Sequence, residues 1–396
     1  MERIGIYGGS FNPPHIGHIQ AAQQAIRTLG LGKLLLIPAG IPPHKVMPGN
    51  TPTGEERLEM LRIAAVEETM EVCDIEVKRE GPSYTYETVE QLRLRFPDAE
   101  LYLLMGTDMF LSFQTWKNPQ RILDCVTLAV MYRGEKGESL KIAEKKAEME
   151  GLGAKIVLVE NKITAISSTQ LRRLLAFGCS GAYLPQGVGE YIRERGLYDV
   201  GADWKGLSME ELEPIVIRLL NPNRVNHVLG CRDTAVELAK RWGADVKDAA
   251  RAGLLHDITK ALDGPLQLTL CDGYGKILSD FSRKYPKTLH ALTGSLVAEH
   301  VFGENEAVVS AIASHTTGKA DMTILEKIIY VADYMEPCRN FPGVEELRKL
   351  AFEDIDAALK LGLEMTLEHL KKQGNEVSPE SRQALAWLKK QDLTSS

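Results

Sequence analysis

The sequence predicts two domains in tandem, an α/β domain with a parallel sheet over residues 1–203 and an all-helical bundle over residues 204–396. Three observations carry that expectation. In the first half, short apolar runs alternate with helical patterns, as in a parallel sheet covered by helices on both faces. From Ser208-Met209-Glu210-Glu211 onward, a helix-start signature, nearly every pattern is helical. A length of 396 residues also exceeds the usual size of one domain.

The first apolar run is Ile4-Gly5-Ile6-Tyr7, followed by the loop Gly8-Gly9-Ser10-Phe11-Asn12-Pro13-Pro14-His15-Ile16-Gly17-His18. Ile19, Ala22, Ile26 and Leu29 then recur at helical spacing up to Gly30, which puts the two histidines at a helix N-terminus. Free N–H groups and a partial positive charge there suit phosphate. Further strand-like runs fall at residues 34–37, 101–105, 126–130 and 156–159, with helical patterns at 55–68 and 85–95. Polar and glycine-rich segments follow several of these runs: residues 38–45, Gly106-Thr107-Asp108 and Arg133-Gly134. Parallel sheets bind ligands at the carboxyl ends of their strands, so a common crevice is expected there. The charged tract at 135–150 reads as a solvated helix. Ile166-Ser167-Ser168-Thr169-Gln170-Leu171-Arg172 is helix-cap chemistry that can also hold a polyphosphate.

Composition narrows the partners. Hydrophobic residues make up 44% of the chain, and the net charge of −7 argues against coating nucleic acid through a basic surface. Small phosphorylated ligands are unaffected by that balance. Six scattered cysteines show no C-x-x-C pair and read as reduced. With no signal-peptide pattern and no apolar run of membrane-spanning length, a soluble cytoplasmic protein with no membrane partner is expected. A homodimer is compatible with the sequence, which does not set the oligomeric state.

The pairing of G-G-S-F-N-P-P-H-I-G-H with I-S-S-T-Q-L-R resembles the H-x-G-H nucleotidyltransferase superfamily, and within it the bacterial nicotinate-nucleotide adenylyltransferases. Pro42-Pro43-His44-Lys45, Ser83-Tyr84-Thr85-Tyr86-Glu87-Thr88, Gly106-Thr107-Asp108 and Trp116 occur in the same order as in that family, over roughly residues 1–200. The resemblance implies a Rossmann-like fold and adenylyl transfer from ATP, with Mg²⁺, to nicotinate mononucleotide. It assigns His15 and His18 to the ATP phosphates, His18 for the transition state and His15 for positioning. Gly8, Gly9, Ser10, Phe11, Gly106 and Asp108 would line the nucleotide, with Asp108 on ribose. Ser168, Thr169 and Arg172 would hold the departing pyrophosphate. Thr85, Trp116, Arg133, His44 and Lys45 would receive the acceptor. Lys117 stands where many relatives carry another aromatic. Another acceptor, such as phosphopantetheine, is the alternative within this chemistry.

Histidines mark the second half as well. His227, His256, His290 and His315 lie on or beside helical patterns, with Asp257 directly after His256 and Asp333 closing the series. Imidazoles and carboxylates on separate helices suit a metal site inside a bundle. Leu254-Leu255-His256-Asp257-Ile258-Thr259-Lys260 and Asp333-Tyr334-Met335-Glu336-Pro337-Cys338-Arg339 resemble the HD phosphohydrolases, and among them the symmetrical bis(5'-nucleosyl)-tetraphosphatases. That resemblance covers about residues 209–390 and implies hydrolysis of diadenosine tetraphosphate to two ADP. His227, His256, Asp257 and Asp333 would hold one metal, and His290 and His315 would join Asp257 at a second, with iron as the implied ion. Lys260 and Arg339 would contact phosphate. His300 and His369 read as ordinary helix residues. The alternative is a non-catalytic regulatory or oligomerisation module.

Overall fold

A computed structural model describes residues 1–43, 47, 49–132, 137–161 and 164–394. The chain divides into two compact units, Met1–Gly201 and Ala202–Ser396.

The first unit is built on a parallel sheet of β1 (Arg3–Gly9), β2 (Lys33–Pro38), β3 (Met70–Val72), β4 (Glu100–Gly106), β5 (Thr127–Tyr132) and β6 (Ile156–Glu160). Its order is β3-β2-β1-β4-β5-β6. The order therefore reverses between β1 and β4, the switch point where open α/β sheets leave a crevice. The helices are α1 (Ile16–Leu29), α2 (Gly54–Ala64), α3 (Thr85–Arg95), α4 (Thr107–Leu111), α5 (Pro119–Leu123), α6 (Glu138–Gly151), α7 (Ser168–Ala176) and α8 (Val188–Glu194).

Apolar runs in the strands are continuous because both sheet faces are covered. Ile4, Ile6, Leu35, Ile37, Leu101, Leu103, Leu128 and Val130 fill one face, against Val89, Leu92, Phe110 and Ile142. Leu34, Leu36, Leu104 and Ala129 alternate with them and are also buried. This is the parallel-sheet signature read from the sequence. The sequence reading found five strands and missed β3. That strand has three residues, Met70-Glu71-Val72, and lies at the sheet edge, paired only with β2 among the described residues. A run so short carries no period of its own.

The second unit is helical: α9 (Met209–Leu219), α10 (Val225–Trp242), α11 (Val246–Leu255), α12 (Gly264–Gly273), α13 (Asp280–Lys284), α14 (Leu289–His300), α15 (Glu306–Ser314), α16 (Ile324–Met335), α17 (Val344–Glu353), α18 (Ile355–Lys372) and α19 (Pro379–Thr394). Ser208 starts it with a capping box to Glu211, the signal read from the sequence. Helices α10, α11, α15 and α16 pack together, with α14 against α15. No described helix is long and apolar enough to cross a membrane. The described cysteines form no disulfide.

Candidate functional sites in the two units

In the first unit the two loop histidines cap α1. His15 is its N-cap, and the His18 N–H donates to His15 Nδ1 at 3.3 Å while the His15 N–H donates to His18 Nδ1 at 3.1 Å. The rings stack with centroids 3.5 Å apart. This is a capping box written with imidazoles, and it aligns both rings beside the free N–H groups of the helix start. Burial pushes His15 down to about 4, so the ring is neutral. Phe11 sits under this pair with φ of 42°, its ring 5.0 Å from that of His18.

The loop is held from two sides. Ser168 Oγ donates to the Pro13 carbonyl at 3.0 Å, and Arg172 Nη1 donates to the Asn12 carbonyl at 2.6 Å. Arg172 Nη2 also reaches Thr169 Oγ1 at 3.1 Å. The N-termini of α1 and α7, 152 residues apart in sequence, thus meet at one loop. Arg57 of α2 is buried and donates to the Ser10 carbonyl at 2.9 Å and the Gly40 carbonyl at 3.3 Å. Sequence reasoning missed Arg57. Its signal was its place on the apolar face of α2, at helical spacing from Met60, Leu61 and Ala64.

Two cavities open at the strand ends. One, of about 370 Å³, is lined by Gly106 and Asp108 together with Tyr7, Glu138 and Asn161. The other, of about 260 Å³, brings Thr85 and Trp116 together with Pro42, Tyr84, Met109 and Lys117. Trp116 rests on Phe113 with ring centroids 5.2 Å apart, and the Lys117 ammonium lies 3.9 Å over the Tyr84 ring. An added Cβ at Gly8 would meet nothing within 4 Å, whereas at Gly9 it would touch the Phe11 ring at 3.3 Å. His44, Lys45 and Arg133 lie outside the described residues.

In the second unit five helices deliver one cluster. His256 and His315 are the C-caps of α11 and α15, and each places Nδ1 2.7 Å from the carbonyl three residues back, Gly253 and Ile312. A helix C-terminus leaves its last carbonyls unpaired, so each Nδ1–H has a fixed acceptor and each Nε2 keeps its lone pair. His227 on α10 makes the same choice by other means, its Nδ1 lying 2.9 Å from buried Glu336. Burial lowers His315, and lowers His256 well below its ordinary value. Both imidazoles are neutral, the form that binds metal.

Asp257 stands between the histidines. Its Oδ2 is 3.6 Å from Nε2 of both His227 and His256, while its Oδ1 is 3.5 Å from His290 Nε2 and 3.8 Å from His315 Nε2. Asp333 Oδ1 is 3.1 Å from His227 Nε2 and 3.8 Å from His256 Nε2. Burial alone would push Asp333 up, but its contact with His227 and the Arg339 guanidinium beside it hold it well below its usual range. Potential ligand atoms of His227, His256 and Asp333, and of His256, Asp257 and His315, lie within 4.8 Å of one another. Convergent lone pairs with every Nδ1 of that trio engaged fit a divalent ion held by nitrogen and oxygen.

Cations surround the carboxylates. Arg224 pairs with Asp257, and Arg339 Nη2 donates to Asp333 Oδ1 at 2.6 Å. Lys260 Nζ lies 2.9 Å from His290 Nε2, the same nitrogen that faces Asp257 Oδ1 at 3.5 Å. Burial lowers Lys260 to about 8. Glu336 and Arg224 escaped the sequence reading. Glu336 lies three residues after Asp333, one helical turn on, which was the available signal.

Residues 6–174 match the family model described as cytidylyltransferase-like, and residues 224–338 match that of the HD domain. A probable nicotinate-nucleotide adenylyltransferase of Aeromonas salmonicida is 41% identical over 208 residues, covering 49% of this chain and 96% of the relative. Another, from Halalkalibacterium halodurans, is 36% identical over 214 residues, 53% of this chain and 98% of the relative. A crystal structure described as a "predicted HD superfamily hydrolase involved in NAD metabolism", from Clostridium acetobutylicum, covers 47% of this chain and 98% of its own, with 38% identity and a TM-score of 0.46.

Proposed function

The chain belongs, over its first half, to the nicotinate-nucleotide adenylyltransferase family and carries an HD domain in its second, and from that premise we propose that it is a bifunctional enzyme. Residues 1–203 transfer the adenylyl group of ATP to nicotinate mononucleotide, in the biosynthesis of NAD. Residues 204–396 hydrolyse diadenosine tetraphosphate symmetrically to two ADP.

For the transfer, the supporting observation is the meeting of two helix N-termini at the histidine loop, in the same unit as the cavity lined by Thr85 and Trp116. An oxygen of the acceptor phosphate attacks the α-phosphorus of ATP, forming one P–O bond while the bond to the β-phosphate bridge breaks and pyrophosphate leaves. Such a displacement needs positioning and charge offset more than covalent help. His18 stabilises the charge on the α-phosphate, and neutral His15 orients it through the shared cap. Backbone of Gly8, Gly9, Ser10 and Phe11 borders the nucleotide, and Gly106 and Asp108 take the ribose side. Ser168, Thr169 and Arg172 receive the pyrophosphate. ATP enters as its Mg²⁺ complex, the ion offsetting charge on the leaving group. The nicotinate ring lies against Trp116 near Thr85. Arg133, His44 and Lys45 complete the acceptor site.

For the hydrolysis, the support is Asp257, which offers one oxygen to the His227/His256 pair and the other to His290/His315. His227, His256, Asp257 and Asp333 would hold one ion, and His290 and His315 with Asp257 would hold a second; we assign iron to both. When bound, the ions supply an activated water and offset charge on the leaving phosphate. Lys260 and Arg339 hold the bridging phosphates.

Incubated with ATP, Mg²⁺ and nicotinate mononucleotide, the purified chain should release pyrophosphate; a preference for nicotinamide mononucleotide or phosphopantetheine would overturn the acceptor. Purified anaerobically, it should carry metal by elemental analysis and convert diadenosine tetraphosphate to ADP. A metal-free, inert protein would leave the second unit a non-catalytic module.

A further inference from the structure

A cavity of about 490 Å³ in the second unit adjoins the histidine–aspartate cluster, and of its lining only Arg339 has a role in the chemistry above. Arg339 connects the two. Its guanidinium lines the cavity and donates to Asp333 Oδ1 at 2.6 Å, and Asp333 Oδ1 is 3.1 Å from His227 Nε2. Tyr334, the residue after Asp333, forms a second wall.

The walls differ in chemistry. Tyr334 and Phe341 present aromatic surface, their rings edge to face with centroids 5.3 Å apart, and Met365 adds a polarizable apolar contact. Tyr334, Phe341 and Met365 are each only partly buried, so these surfaces are open to a ligand. On α18, which also carries Met365, His369 and Lys372 lie one helical turn apart and add polar lining. His369 is held by Gln373, and Lys372 is balanced by Glu368 at 2.8 Å. Gly343 lies against Met365. Its φ is +93°, and an added Cβ would come within 2.5 Å of Met365 Cε.

We propose that this cavity binds the nucleoside end of a nucleoside polyphosphate whose phosphate chain passes Arg339 to the histidine–aspartate cluster. A flat heteroaromatic base has a π-face for Tyr334 and Phe341, the kind of contact by which proteins hold bases without reading their sequence. Arg339 marks the anionic end of the ligand, and the polar edge made by His369 and Lys372 suits ribose and base heteroatoms. His369, an ordinary helix residue by sequence, thereby becomes part of a ligand site. The inference rests on reading the cluster as a phosphohydrolase, and it specifies how that site would select nucleotides over simple phosphates.

The test uses the full chain, with Phe341→Leu, which keeps an apolar side chain but removes the ring, and Phe341→Tyr, which keeps the ring. Adenylyl transfer and bound metal serve as controls for folding. KM for diadenosine tetraphosphate should rise about tenfold in Phe341→Leu with kcat within about twofold, and return to the wild-type value in Phe341→Tyr. In parallel, 8-azido-ADP is photolysed with the wild-type chain and the labelled peptides of residues 202–396 are mapped. Label in segments 334–342 or 365–372 is expected, and its loss in Phe341→Leu. Equal KM values in the two variants, or label in this unit confined to other segments, would overturn the proposal. A wild-type chain that labels at these segments but releases no ADP from the tetraphosphate would sink the hydrolase reading and leave the nucleoside site standing.

Discussion

His15 shows how one residue serves geometry and charge together. Capping requires its Nδ1 to accept from the His18 N–H, and burial keeps the ring neutral with a pKa lowered to about 4 from the ordinary 6.5. Between those values the unfolded chain binds a proton that the folded chain refuses. The contribution is therefore fully present above about 6.5 and is lost as pH falls toward 4. The thermal midpoint of wild type relative to His15→Asn should fall as pH drops from about 7 to about 4.5; a gap that does not change with pH would contradict it. Lys117 makes the second residue-scale prediction. Its ammonium lies over Tyr84 in the cavity lined by Thr85 and Trp116 and has no ion-pair partner there among the described residues. Replacing it by Met should lower kcat/KM for nicotinate mononucleotide about tenfold, on the order of one charge-assisted hydrogen bond, with the KM for ATP unchanged. An equal loss for the acid and amide forms of the acceptor would show that Lys117 does not read the carboxylate.

At the scale of elements, helix ends do most of the positioning. The N-termini of α1 and α7 gather the first site, and the C-termini of α11 and α15 present His256 and His315 with Nδ1 already engaged. The second cluster also needs α10 and α11 close together. Gly253 permits this, since an added Cβ there would lie 2.8 Å from Arg232 Cα and 3.1 Å from its nitrogen, backbone atoms that cannot swing aside. Gly253→Ala should cost about 1–3 kcal/mol as overpacking and separate His227 from His256. The expected result is a lower melting temperature together with reduced metal retention on dialysis. Unchanged metal content would mean that this helix spacing does not govern the site.

At the scale of the molecule, each unit has its own buried core: the two sheet faces in the first, and residues such as Val228, Leu254, Ile312 and Ile329 in the second. Two separable functions should follow. Residues 1–201 expressed alone should unfold cooperatively and retain adenylyl transfer, and residues 202–396 should retain metal. His256→Ala with Asp257→Ala in the full chain should remove metal and spare transfer. Loss of transfer in that variant would show that the activities are coupled.

The sequence by itself determined the fold class. Alternating apolar runs and helical periods are local patterns, and burial on both faces of a sheet writes itself into consecutive residues. Histidines with a neighbouring aspartate were likewise visible as chemistry out of place on a helix. Tertiary structure alone decided which groups meet. Arg57 binding the loop carbonyls, Glu336 orienting His227, Arg224 on Asp257 and the cavity between Tyr334 and His369 all join residues far apart in the chain or on different elements. β3 belongs to the same class, because a three-residue strand exists only by pairing with β2. Local periodicity records which face of an element is buried; the partner that buries it is a property of the packed whole.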